Sequence, residues 1–149
     1  MKLHLFNPEN DIALGYGDKR ITLNPVVSRL HVDGAMLPLW YGDDGDKVFS
    51  ASLDEEWLMK MSRDFNINVS PVNGEVRGAD GAPWGWSVDA ARTLSSLGAN
   101  VPSQVELDRI RALSHRRVTV EIMQRLRDRL DMPLPVSYTH LTLPTILLV

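Results

Sequence analysis

The feature of this sequence that most restricts its fold is the alternation of short apolar segments with longer amphipathic ones. Segments of strand length, some of them broken by proline, lie at residues 2–6, 36–41, 47–50 and 67–72. Segments with the apolar spacing of a helix lie between and after them. Because parallel strands must be joined by crossover connections, usually helices, this order predicts an α/β fold with a largely parallel sheet.

Five places in the sequence combine a short polar residue with a following helical pattern, as helix N-termini do. At two of them a glutamate three residues later completes a capping box. The predicted N-caps are Asn24, Ser52, Ser87, Ser103 and Ser114. Residues 9–17 and 78–83, which are rich in glycine and turn-forming residues, are predicted to be loops.

Composition limits the classes of function. The chain has 149 residues, a hydrophobic fraction of 44%, a net charge of −3 and no cysteine. Such a chain can bury a compact core, and its mild acidity gives no general attraction to nucleic acid or to an anionic membrane. The absence of cysteine excludes disulfides and fits a reducing compartment. We therefore expect a cytoplasmic location, with neither nucleic acid nor membrane as a partner.

The end of the sequence has an unusual property at the level of codons. Residues 136–145 can be written back as GTC TCT TAT ACA CAT CTG ACG CTG CCG ACG, which resembles the end of a transposon adapter used in short-read library preparation. A preceding CT completes a proline codon, and Pro135 stands there. We interpret residues 136–149 as a non-native tail joined to a truncated gene, and we omit them from the fold prediction. The alternative is a genuine threonine-rich edge strand.

A dense polar cluster follows the first predicted strand directly. The candidate substrate-binding residues in it are Asn7, Glu9, Asn10 and Asp11. In open α/β sheets the loops at the carboxyl ends of strands line the ligand crevice. Carboxylates in such a loop can hold a metal-bound phosphate, or accept hydrogen bonds from an amine or a hydroxyl. The alternative is a structural turn, since asparagine, proline and aspartate are common turn formers, and Asn10 or Asp11 could cap a short helix.

Two tryptophans, Trp84 and Trp86, stand directly before a predicted helix. Their indoles can form a stacking wall for a ligand, or they can anchor the helix to the sheet. The residue types leave both interpretations open, and we include both tryptophans among the candidate substrate-binding residues.

The last predicted helix opens with His115, Arg116 and Arg117. Cations in a first turn oppose the helix dipole, which suggests contact with a phosphate or an acidic partner, although a solvated face is the alternative. His4 and His31 are isolated in sequence, and we expect them to be structural. No Ser-His-Asp set, HExxH motif or Walker loop can be assembled, so we predict no catalytic residue and no metal ligand.

Three segments, residues 5–14, 83–87 and 113–117, resemble a family of bacterial proteins of uncharacterised activity whose C-terminal half looks like an ATP-grasp ligase. The resemblance spans most of residues 1–135. It implies a Rossmann-like preATP-grasp domain over residues 1–102. It also implies a helical segment, residues 103–135, that leads into a truncated ATP-grasp domain, before the tail at 136–149.

The resemblance also implies a function for the parent protein. An ATP-grasp ligase activates a carboxylate as an acyl phosphate and passes it to an amine or similar nucleophile, with ATP and Mg²⁺ as cofactors. These would be bound beyond Pro135, so the chain itself would bind no cofactor and be non-catalytic. It would supply one wall of the crevice for a small-molecule substrate, with Arg116 and Arg117 close to the nucleotide.

Two other functions remain open at the level of the sequence. The chain could be a stand-alone Rossmann-like module that binds a small molecule, or an interaction module that presents its basic helix start to an acidic protein. The last helix also carries an apolar stripe at Val118, Ile122, Leu126 and Leu130. An uncovered stripe of this kind predicts aggregation or a homodimer.

Overall fold

The computed structural model describes residues 1–17, 21–51 and 54–130. The described strands are β1 (Lys2–Leu5), β2 (Lys47–Phe49), β3 (Ser70–Val72) and β4 (Asp80–Pro83). The described α-helices are α1 (Asn10–Tyr16), α2 (Pro25–Asp33), α3 (Glu55–Phe65), α4 (Val88–Ser96), α5 (Gln104–Leu113) and α6 (Arg116–Leu130). A 3₁₀-helix covers Leu37–Trp40.

The four strands form one parallel sheet in the order β3-β2-β1-β4. Leu3 in β1 lies opposite Lys47 on one side and Gly81 on the other. The chain therefore moves outward from β1 to β3 and then returns to the other side of β1. This confirms the predicted α/β fold with a parallel sheet, and the strand order is consistent with a Rossmann-like arrangement.

The return from β3 to β4 uses residues 73–79, which form no helix. Val76 ties this connection to the end of α4, because its N–H donates to the carbonyl oxygen of Leu97 at 2.6 Å. The Val76 side chain also packs on the buried core. A short irregular segment thus replaces the crossover helix that usually joins parallel strands.

One face of the sheet is covered by α4. Leu3 and Leu5 project from β1 to this face, because alternate residues of a strand point the same way. They pack against Ala90 and Leu94 of α4, and Leu94 is fully buried. The buried serine hydroxyl of Ser87 caps the helix by accepting from the N–H of Ala90 at 3.2 Å. This confirms Ser87 as an N-cap.

The opposite face has a smaller apolar cluster, formed by Leu39, Val48 and Val69. Beside it the buried carboxylate of Asp46 lies 2.9 Å from Nε2 of His4, and accepts from the N–H of Lys2 at 2.7 Å. Burial acts to raise the pKa of Asp46, but the hydrogen bonds from His4 and from backbone N–H groups lower it overall. The prediction that His4 is structural is confirmed.

Two segments predicted as loops have regular structure. Residues 9–17 contain α1, whose carbonyl at Leu14 accepts from Nε of Arg111 at 2.9 Å. Residues 78–83 contain β4, which pairs with β1 along its whole length. The sequence of β4, Asp-Gly-Ala-Pro, has weak strand propensity, and pairing with the central strand overrides it.

Residues 36–41 were predicted to be extended, and the 3₁₀-helix there shows that this was wrong. Pro38 stands in its first turn, where a missing N–H costs nothing. The start of α3 is also different. Asp54 caps it by accepting from the N–H of Trp57 at 2.9 Å, and Ser52 lies outside the described residues.

The remaining helix starts follow the prediction more closely. Asn24 caps α2 by accepting from the N–H of Val27 at 2.9 Å. The N–H and hydroxyl of Ser103 both donate to the Glu106 carboxylate, which lowers the pKa of Glu106 and confirms the second capping box. By contrast, Ser114 as N-cap would make His115 the first residue of α6, but α6 begins one residue later, at Arg116.

The chain divides into two compact units, Met1–Arg111 and a second that begins at Ala112. In the second unit α6 is described, and its Ile122 and Leu126 side chains are exposed. Within the described part of the chain no helix is long and apolar enough to cross a membrane. The cytoplasmic location, the homodimer and the predicted domain limits stay predictions, and residues 136–149 lie outside the described residues.

Candidate functional site

The chain changes direction across the sheet between β1 and β4, so the loops that follow these two strands lie side by side. Asn7 joins them. Its amide nitrogen donates to the carbonyl of Gly85 at 2.8 Å, and its oxygen accepts from the N–H of Gly85 at 3.2 Å. Asn7 is only 2% exposed. Its side chain therefore holds the two loops together and shapes the space above the sheet.

Glu9 lies in the same loop and is 9% exposed. Its Oε2 lies 3.1 Å from Nδ1 of His31, which α2 supplies from outside the sheet. A carboxylate and an imidazole thus stand together at the carboxyl end of β1. Sequence reasoning treated His31 as isolated, because the two residues are far apart in the chain and no local pattern links them.

Asn10 opens α1 beside Gly85. A Cβ built at Gly85 would collide with the side-chain amide of Asn10, so the amide can occupy this position because residue 85 is glycine. Oδ1 of Asn10 is buried and has no hydrogen-bond partner within the described structure. Buried polar atoms of this kind are rare and call for a partner. Asp11, the next residue, points its side chain into solvent.

The two tryptophans have different environments. Trp84 is 62% exposed and its ring packs edge-on against Phe6, with centroids 5.8 Å apart. Its ring also lies 6.3 Å from that of Tyr41, whose pKa is raised by burial. Trp86 is half-buried and packs on the core under α4. The geometry thus gives Trp84 a surface for stacking and Trp86 an anchoring position.

Arg116 and Arg117 belong to the second unit. Arg117 is exposed, and its Nε lies 3.8 Å from Oε1 of Glu121 one turn later in α6. The side chain of Arg116 lies outside the described part of the structure. Their predicted position near a nucleotide stays a prediction.

A cavity of about 550 Å³ lies between α1, α4 and α5, and none of the predicted site residues lines it. Its polar lining includes Arg92, Asp108 and Arg111. Sequence reasoning missed it, because each charged residue alone has the pattern of a solvated helix face. The sequence shows that both helices carry an arginine, but only tertiary packing shows that the two helices meet around one cavity.

Metal ligands do not converge in the part of the chain that the structure describes. There, no group of three or more histidine, cysteine, aspartate or glutamate side chains is placed to hold an ion. Glu9 is paired with His31, and Asp11 points away from it into solvent. The binding of ATP and Mg²⁺ in a parent protein stays a prediction.

Comparisons of the chain with protein-family models, with curated proteins and with solved structures found no match.

Proposed function

We propose that this chain binds a small molecule in a crevice at the carboxyl ends of β1 and β4. We further propose that it forms one wall of the substrate crevice in an ATP-dependent carboxylate–amine ligase of the ATP-grasp type. In this proposal the first unit is the Rossmann-like preATP-grasp domain, and the chain alone is not catalytic.

The observation that carries the proposal is the reversal of strand order between β1 and β4. In open parallel sheets, ligands bind outside the carboxyl ends of the strands, at the point where the strand order reverses. Here the loops after β1 and β4 carry four of the six predicted substrate-binding residues, and the other two, Asn10 and Asp11, lie in the first turn of α1. The hydrogen bonds between Asn7 and Gly85 fix the two loops relative to each other.

The chemistry of the crevice favours a ligand with an amine or hydroxyl group. The Glu9 carboxylate offers hydrogen-bond acceptors, and the His31 imidazole beside it fixes its orientation. Oδ1 of Asn10 is a further acceptor that lacks a partner in the described structure. The exposed face of Trp84 can pack against an apolar or planar part of the ligand.

In a ligase of the proposed type, this wall would bind and orient the nucleophilic substrate. Fixing an amine beside an activated carboxyl group contributes to rate by reducing the entropy lost in the reaction. The Glu9 carboxylate could also take the proton that the amine releases, with His31 as its partner.

The test is a titration of the full chain with a panel of small primary amines and amino acids, in which tryptophan fluorescence reports binding. We expect at least one panel member to bind. Glu9→Gln should weaken its binding about tenfold or more, because a hydrogen bond to a charged group is lost. Trp84→Ala should weaken it as well, by removing the stacking surface.

Trp40→Ala is the matched control, since Trp40 is also half-exposed but packs on Phe65, with ring centroids 5.1 Å apart. It should leave the affinity unchanged. The proposed crevice would be contradicted if no member of the panel bound. It would also be contradicted if the Glu9 and Trp84 variants bound as tightly as the wild type. ATP hydrolysis or amide formation by the purified chain would contradict its non-catalytic role.

A further inference from the structure

Part of the wall of the cavity between α1, α4 and α5 is apolar. Its wall includes Ala13 of α1, Val88 of α4 and Leu107 of α5. Ala13 and Leu107 are buried, so they form a firm surface, and Val88 is half-buried. The volume of about 550 Å³ lies within the range of small-molecule sites. An apolar group of modest size can therefore be enclosed there.

The charged lining of this cavity is predominantly positive. Arg92 reaches it from α4 and Arg111 from α5, whereas Asp108 supplies a single carboxylate. Asp108 already accepts a hydrogen bond from the Gln104 amide at 3.0 Å. Arg92 also forms an ion pair with Asp89 of α4, at 3.9 Å. Two arginine side chains on separate helices thus line one cavity.

Arg111 is held in place before any ligand binds. Its Nε donates to the carbonyl of Leu14 at 2.9 Å, at the end of α1. Its terminal nitrogens lie against Gly17, where a Cβ would stand 2.7 Å from Nη1. Gly17 also has a φ of +73°, a backbone conformation that favours glycine. The absence of a Cβ and the positive φ both favour glycine at this position. A preorganised guanidinium loses little entropy when it binds an anion.

We propose that this cavity is a second binding site, specific for a small organic anion. Arg92 and Arg111 bind the carboxylate or phosphate group, and the apolar body of the ligand packs on Ala13, Val88 and Leu107. The site is independent of the crevice at β1 and β4, because none of the residues assigned to that crevice lines this cavity.

The test uses phenyl phosphate and benzoate as probes, with inorganic phosphate and benzylamine for comparison, titrated into the full chain by isothermal calorimetry. Phenyl phosphate and benzoate should bind saturably. Inorganic phosphate should bind at least tenfold more weakly, because it lacks an apolar body. Benzylamine, which suits the other crevice, should not weaken the binding of phenyl phosphate when both are present. Arg92→Gln and Arg111→Gln should each weaken phenyl phosphate about tenfold or more, since each removes a charged hydrogen bond.

Arg63→Gln is the charge-matched control, because Arg63 is an exposed arginine of α3 that pairs with Asp64. It should leave the affinity unchanged. Since Arg111 also supports α1, Val88→Phe provides a second variant, which fills the cavity and keeps both charges. It should abolish binding while the chain keeps its fold by circular dichroism. The proposal is overturned if neither phenyl phosphate nor benzoate binds. It is also overturned if Arg92→Gln and Val88→Phe bind phenyl phosphate as tightly as the wild type. An equal affinity for inorganic phosphate overturns the apolar part of it.

Discussion

The two faces of the sheet are stabilised in different ways. On the α4 face, Leu94 is fully buried and packs with Leu3 and Leu5. On the opposite face, Leu58 of α3 packs against a small buried apolar cluster, but α3 itself has no buried residue. A buried polar interaction, between Asp46 and His4, lies beside that cluster. The first face depends on apolar burial, and the second depends partly on a charged hydrogen-bond network.

This difference shows that an amphipathic pattern does not measure how deeply a helix is buried. In α3 the pattern is strong, yet Met59 is 68% exposed and Phe65 packs mainly on the ring of Trp40. In α4 small residues such as Ala90 and Ala91 allow the helix to approach the sheet closely, and both are buried. Side-chain size at the contact, rather than the pattern alone, sets the depth of packing.

The largest expected effect is on the apolar face. Leu94→Ala should lower the free energy of unfolding by about 3 kcal/mol, because it removes a fully buried side chain and leaves a cavity. Met59→Ala on α3 should change it by less than about 0.5 kcal/mol. Urea unfolding of both variants measures the difference, and similar losses would show that the two faces are not packed differently.

A smaller effect is expected on the polar face. Asp46→Asn should lower the stability at neutral pH by about 2 kcal/mol, because hydrogen bonds to a buried carboxylate are weakened. The pKa of Asp46 is lower in the folded state than in the unfolded chain, so its ionised form stabilises the fold above the unfolded pKa. That contribution is lost as the pH falls through the folded pKa.

The difference between wild type and Asp46→Asn should therefore shrink as the pH drops below about 4. Thermal unfolding across an acid pH series measures this. Asp44→Asn is the matched control, since Asp44 is an exposed aspartate in the same turn, and it should have little effect at any pH. A constant difference down to low pH would contradict the proposed role of the ionised carboxylate.

The smallest expected effect concerns the caps of the two helices. Ser87→Ala should cost about 1 kcal/mol of global stability, because its hydroxyl is buried and caps a helix packed in the core. Asp54→Ala removes an equivalent bond from α3 but should cost less, because that helix buries no residue. Hydrogen exchange should show local fraying in α3. An equal loss of global stability in Ser87→Ala and Asp54→Ala would contradict the proposed difference between the two faces.

Much of the local structure follows from short-range signals. The caps at Asn24, Ser87 and Ser103 were predicted from the sequence, because the side chain and the N–H groups that it accepts from lie within three residues. The strand β4 was not predicted, since Asp80–Pro83 has little propensity and becomes a strand only beside β1. The helix α1 was missed for a similar reason, as Arg111 supports its end from far along the chain.

The candidate site divides in the same manner. Residues 7–11 and the two tryptophans were chosen because they follow strands or precede a helix, and those positions could be predicted from the local pattern. The sequence could not show that Asn7 would bond Gly85, or that α2 would bring His31 to Glu9. It also gave no indication of the cavity that Arg92 and Arg111 share.

The sequence by itself determined the fold class and the starts of three of the six described α-helices, because periodicity and capping act between residues close in the chain. Only the tertiary structure decided the strand order, the separate environments of Trp84 and Trp86, and which charged groups line one cavity. These depend on contacts between distant segments, whose free energy arises only when the packed layers exclude water.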